Sequence, residues 1–448
     1  MSSHVQKYLV LACLFTFLDG SPTALAEPVS AANPPPLASL PESPTVTPED
    51  WHFAGQVLIR SEMDGRDFDN NTSPLFWTVM RTRLAVSKTF FQKDLEFFVQ
   101  LQDARTFGDV GAAIANLKNI DLYQGFVQGH HLFGQDLSLQ VGRFELDYGN
   151  GRLFSPLPGW NYIGQSFDGG RIKYRLPEFF QLNLEAFSTV IKNTTPAIRN
   201  PTPAAYPLKT NQGHGLHGVW ASAELAKEAK LDAFAYYEID SNESKVGFAD
   251  INRLTYGLNH RGQYLDGLLS STLEADYQLG KVSDLNVNAF LLSASGFVHP
   301  GEFHLGAGAD FVSGNPAGST NSNNAFSQPF GNNHAFYGYM DYFLNIPVNS
   351  KNLGLNDYYL KMAWAPQGLP LEIACDLHHM AANQISASGQ NVFGQEADLT
   401  LTHKQDKNRY IWGLSAYLPG GLFRSADFFG SARSGLSFWS YIQVIVYF

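Results

Sequence analysis

Residues 76–86 read FWTVMRTRLAV, and their alternation decides the fold. Phe76, Thr78, Met80, Thr82, Leu84 and Val86 share one parity, while Trp77, Arg81, Arg83 and Ala85 share the other. Successive side chains of an extended strand point to opposite faces, whereas a helix repeats every 3.6 residues. The segment is therefore a strand with one apolar face and one face carrying charge.

The same period recurs along the chain. In 95–102, Leu95, Phe97, Val99 and Leu101 oppose Glu96, Gln100 and Gln102. In 272–280, Leu273, Ala275, Tyr277 and Leu279 oppose Thr272, Glu274, Asp276 and Gln278. Near the end, Ala397, Leu399 and Leu401 oppose Glu396, Asp398, Thr400, Thr402 and Lys404. Short turns (Gln92-Lys93-Asp94, Gly134-Gln135, Leu176-Pro177-Glu178, Gly368-Leu369-Pro370) alternate with longer polar stretches such as 63–74, 148–165, 192–215 and 313–354. That rhythm predicts a transmembrane antiparallel β-barrel with short periplasmic turns and long extracellular loops. The crossings, from 52–62 through 136–147 to 435–448, number about eighteen, an even count that leaves both termini on the periplasmic side.

The last strand, SFWSYIQVIVYF (437–448), places Phe438, Ile442, Val444, Val446 and the terminal Phe448 on one face. This resembles the signal that barrel-assembly machinery reads in outer-membrane proteins, so that machinery is an expected partner. Phe76, Tyr256, Tyr358, Trp364, Tyr410, Trp412 and Phe448 are candidates for the aromatic girdles at the two headgroup levels.

Composition agrees. The 448 residues are 14% aromatic and only 16% charged, yet the mean hydropathy is −0.16. Averaging a lipid face with a wet face gives that combination; a bundle of apolar membrane helices does not. The net charge of −11 disfavours a nucleic-acid partner, because phosphate affinity needs excess Lys and Arg. At the N-terminus, His4 and Lys7 precede an apolar run, Tyr8–Leu18, and then Ala24-Leu25-Ala26. Residues 1–26 are thus expected to be a cleaved signal peptide. The proline-rich stretch 27–50 is expected to be a periplasmic linker, with the barrel over 51–448. The expected location is a Gram-negative outer membrane, with its lipid and lipopolysaccharide as surroundings.

Strand phase assigns several cations to the inner wall: Arg60, Arg81 and Arg83 early, then Arg171, Lys173 and Arg175, then Arg253 and Arg261. Guanidinium stays charged and matches carboxylates with a planar fork. A path lined by it would concentrate anions, since the local field steers an ion in a pore. Each arginine could instead pair with a wall carboxylate such as Glu62, Glu96, Asp168 or Glu274 and only brace the barrel. Arg105 and Arg143 fall on the apolar parity and are expected at a rim or beside a bulge.

Two stretches carry a resemblance. LSLQVGRFELDYGNGRL (137–153) and GQSFDGGRI (164–172) resemble the alginate export family of outer-membrane porins. Further similar stretches are QLQDAR (100–105), DLYQGFV (121–127), GQEADLTLTH (394–403) and the strand ending Pro419-Gly420. The resemblance implies an eighteen-stranded monomeric barrel whose electropositive pore conducts an anionic polysaccharide. It also implies that Arg143, Glu145, Arg152 and Asp168, with Arg171, hold loop 148–165 against the wall. The chain departs from a purely basic lumen at Glu274, Asp276, Glu396 and Asp398, which keeps a small-solute porin as the alternative.

No serine stands in a nucleophile context near His130-His131, His378-His379 or His403. Adjacent histidines on a strand face opposite ways, which opposes a shared metal. A channel with no catalytic residues, metal or cofactor is expected. The long span 313–354, rich in Gly and Asn, could fold inward as a constriction.

Overall fold

The computed structural model describes residues 51–107, 120–156, 159–192, 213–240, 250–316, 318–319, 322–429 and 433–448. The proposed signal peptide and linker lie outside the described residues.

The two-residue period becomes β1 (Trp51–Gly65), β2 (Leu75–Phe90), β3 (Leu95–Phe107), β4 (Ile120–Gly129), β5 (Leu137–Phe144) and β6 (Phe167–Leu176). These are followed by β7 (Leu182–Lys192), β8 (His214–Ala226), β9 (Ala229–Asp240), β10 (Ile251–Tyr264), β11 (Leu269–Val282), β12 (Leu285–Val298) and β13 (Phe303–Val312). A two-residue strand, β14 (Ser322–Asn323), lies parallel to β12 inside the β13–β15 connection. The wall then resumes with β15 (Leu355–Trp364), β16 (Leu371–Ala381), β17 (Val392–Gln405), β18 (Asn408–Pro419) and β19 (Ser437–Tyr447). Each wall strand pairs antiparallel with its neighbours in chain order, and β19 pairs back to β1 from Gln56↔Tyr447 to Gly65↔Phe438. The result is a closed barrel of eighteen wall strands with no free edge, which lets its backbone be satisfied in lipid.

Burial follows the parity read from the sequence. On β19, Ile442 is 61% exposed while Tyr441 and Trp439 are 5% and 0% exposed, so the alternate residues face lipid and lumen. The girdle candidates Phe76, Tyr256, Tyr358, Trp364, Tyr410 and Phe448 are all outward and exposed.

Three local departures matter. The stretch expected as strand to residue 147 stops at Phe144, because Glu145 onward turns into the lumen. The β11–β12 connection, on the long-loop side, shrinks to Ser283-Asp284, with Ser283 at φ 52. A bulge in β4 opposite Gln100/Leu101 leaves Tyr123 without a register partner. The extra residue re-aims Tyr123 inward, where it is 4% exposed.

Candidate functional site: a lumen crossed by two loops

Two long connections, 145–166 and 313–354, fold inside the barrel, and the wall charges meet them. The first crosses toward β11 and β13 at its Arg152. Tyr148 stacks on Trp220 at 4.7 Å and Phe154 packs edge-on against Tyr236 at 4.9 Å, anchoring the loop to β8 and β9. The Arg152 guanidinium then donates to Glu274 (2.9 Å), to both Asp310 oxygens (2.9 and 3.2 Å) and to the Ser293 hydroxyl (3.0 Å). Burial works against that charge, but Asp310, Tyr337 and Glu274 more than offset it, so Arg152 stays protonated. Burial also pushes the Asp147 carboxyl up to about 6, with neighbouring Glu145 adding to the shift.

Farther along, the loop lies across five wall strands in succession. Gln443 of β19 donates to Gly159 O (3.0 Å), Arg60 of β1 to Trp160 O (2.7 Å) and Arg81 of β2 to Asn161 O (2.5 Å). Gln102 of β3 donates to Ile163 O (2.6 Å) and Tyr123 of β4 to Gln165 O (3.2 Å). Strands stand about 4.8 Å apart and an extended chain advances about 3.4 Å per residue, so a perpendicular crossing meets a new strand roughly every 1.4 residues. The carbonyls used, from 159 to 165, keep that pace. On the far side, Arg261 of β10 donates to Gly149 O and to Asp232.

The second loop is held by the opposite sign. Met340 N–H donates to Glu396 (2.7 Å) and Tyr339 N–H to Asp398 (3.5 Å), both on β17. Gly338, at φ +80, makes this possible: a Cβ there would lie 2.6 Å from the Glu396 carboxyl. At these contacts β1 and β2 arginines grip carbonyl oxygens and the β17 carboxyls grip N–H groups, each facing the matching end of the peptide dipole.

The loops also bind each other. Ser155 N–H donates to Phe330 O (3.0 Å) and Asn332 N–H to Gly151 O (2.9 Å). Trp160 stacks on His334 at 3.7 Å, with the Arg60 guanidinium 3.6 Å over its other face. The expectation that 313–354 could fold inward is met by its Phe326, Tyr337, Met340 and Phe343, all buried against wall residues.

The residues singled out in the sequence divide into groups. Arg60, Arg81, Arg83 and Arg253 are inward but buried; Arg83 faces Tyr123 and Glu145, and Arg253 bonds Glu238. Glu145 joins this cluster by accepting from Tyr123 at 2.6 Å. Arg143 and Asp168 are corrected: both sit on the apolar parity and form an outward cross-strand pair at 2.9 Å rather than holding 148–165, Arg143 touching only the end of the connection, where it donates to the Ser166 hydroxyl (3.0 Å). Arg152 grips the opposite wall, not the adjacent one. Arg105 is likewise outward, paired with Asp103 at 2.6 Å. Arg171, Lys173 and Arg175 alternate down β6 toward the short turn 177–181, beside Glu185 and Asp136. Their side chains become progressively open, at 11%, 34% and 60%. Gln102, Gln443 and Tyr123 were not anticipated; a polar residue on a charged parity is a weak sign, and the bulge that turns Tyr123 has no sequence marker. Among the described residues, no group of three or more His, Cys, Asp or Glu side chains is placed to hold a metal.

A family model for alginate export matches residues 52–356. No curated protein matches the chain. Similar solved structures include a BenF-like porin from Pseudomonas fluorescens Pf-5 (TM-score 0.59, 11% identity, 89% of this chain and 98% of that one). Pseudomonas aeruginosa OpdL (0.57, 15%, 89% and 99%) and OccK8, also called OprE, from the same organism (0.56, 13%, 89% and 98%) are similar as well. At these identities the likeness is one of fold: a closed outer-membrane barrel.

Proposed function

This chain belongs to the alginate export family of outer-membrane barrels, and on that premise we propose that it passively conducts anionic solutes, an alginate-like acidic polysaccharide first among them. The observation that carries the reading is the β6 ladder of Arg171, Lys173 and Arg175, which opens stepwise toward the periplasmic mouth. Cations spaced two residues apart on one strand stand roughly 6.4–6.8 Å apart, a series of stations among which an anion can pass without binding tightly at any one. Arg60, Arg81, Arg83 and Arg261 act on the path indirectly, by fixing the loop that narrows it, whereas Arg253 braces the wall through Glu238. The reading includes a monomeric barrel inserted through its C-terminal strand by the assembly machinery, surrounded by lipopolysaccharide, and performing no chemistry.

The test is the reversal potential in planar bilayers under a salt gradient. Lys173→Gln and Arg175→Gln together should abolish anion preference while leaving the loops seated, Arg171 being kept because it also bonds Tyr148 of the inward loop; unchanged preference defeats the proposal. Substituting Arg81 or Arg83 would be less informative, since it also unseats the loop.

The two loops crossing the lumen favour a second reading, a porin for small anionic solutes. Current block by oligouronates, with none by monomeric carboxylates, supports the polysaccharide; steady permeation of small carboxylates without block by the oligomer supports the porin.

A further inference from the structure

We propose that the lipid-facing side of β15–β18 holds a site for one acyl chain of lipid A from the outer leaflet. The register builds it in rows. Tyr358, His379, Gln395 and Leu418 face outward side by side; the next row toward the periplasm is Leu360, Leu377, Ala397 and Ala416. Below that, Leu399 and Leu414 are paired again. Two methyl groups thus sit side by side where the neighbouring rows present large side chains. The notch they leave is part of a groove of about 560 Å³, walled by Leu360, Leu377, Leu418 and Leu436.

Its outer end is polar. The Gln395 amide meets His379 Nδ1 at 3.0 Å. With the amide donating, the His379 proton sits on Nε2, free to serve a ligand oxygen. Both residues lie within four positions of the ends of β16 and β17 that lead into the long connection 382–391, so they stand at the outer headgroup level. At that boundary with the hydrocarbon an imidazole and an amide are costly unless they meet polar partners. The ester carbonyls and hydroxyls at the head of lipid A chains are such partners, and the apolar notch below takes the chain itself.

A second copy of the barrel is a poorer occupant. Four strands by two rows make a patch of about 19 by 13 Å, well short of the roughly 800 Å² per partner that a stable interface buries. The site is independent of what the lumen conducts.

Native mass spectrometry of the full barrel, purified in mild detergent and titrated with hexa-acylated lipid A, tests the assignment. The wild type should retain one lipid A. Ala397→Leu with Ala416→Leu restores a flat leucine row and should weaken retention about tenfold, with single-channel conductance unchanged. Ala275→Leu, outward on β11, should retain lipid as the wild type does. Equal retention by the filled variant, or none by the wild type, overturns the proposal; a heat-modifiable band on gels confirms that each variant is folded.

Discussion

Arg152 and Asp310 are 158 residues apart in sequence and meet inside the barrel as a two-pronged ion pair, Nη1 to Oδ2 at 2.9 Å and Nη2 to Oδ1 at 3.2 Å. One arginine from an inward loop is thereby fixed to the wall opposite its own strands. The same guanidinium lies 4.0 Å over the Phe336 ring of the second loop, so it is where both loops and the far wall are joined.

Removing that cation leaves Glu274 and Asp310 buried without it. Arg152→Ala should cost about 3–5 kcal/mol, read as a clear fall in the thermal transition in detergent. Arg152→Lys keeps charge but not the fork and should fall between. A wild-type transition in the alanine variant would show that the pair holds nothing together.

Trp160 stands between Arg60 and His334. Its stacking and cation–π contacts are worth about 1–3 kcal/mol together. Trp160→Ala should loosen 159–165 and raise single-channel conductance with more frequent gating. Conductance identical to the wild type would mean that this stack does not narrow the path.

Gly331 lets the loops touch: a Cβ there would stand 1.7 Å from the Arg152 carbonyl oxygen. Gly331→Ala must push the loops apart, exposing 313–354 to added protease while the barrel stays intact. Protection equal to the wild type would contradict the close approach.

His299, in the short turn between β12 and β13, has Nδ1 2.6 Å from that of His304 and its Nε2 2.8 Å from Ser270. Burial, then the second imidazole, holds the His299 pKa below the usual histidine value. Its contribution to stability is therefore complete above about pH 6.5 and is lost as pH falls through the lowered folded value. Thermal stability should drop on going from pH 7.5 to 5, and His299→Gln should flatten the drop. A steeper drop in the variant would reverse the sign argued here.

Phe448 closes the ring with Gly55: Gly55 N–H donates to Phe448 O (2.7 Å) and Phe448 N–H to Gly55 O (3.1 Å). The aromatic ring covers the glycine, a cross-strand pairing that favours register. Phe448→Ala should reduce the folded, heat-modifiable fraction in outer membranes. An unreduced fraction would separate this residue from assembly.

The alternation in 76–86 was enough to specify a strand and the inward parity of Arg81 and Arg83, and the same period in 137–144 the outward parity of Arg143, because the pleat assigns faces by counting. Even the strand number followed, since connectors marked each crossing. What those inward charges touch could not be counted. Arg60, Arg81 and Gln443 reach loop carbonyls because closing the ring brings β19, β1 and β2 side by side, and the 145–166 segment happens to run across them. The partnership of Arg152 with Asp310 depends on the diameter of the closed barrel and on the inward course of its loop. Local sequence carries the period of a strand; the distance across the lumen exists only once eighteen strands have closed.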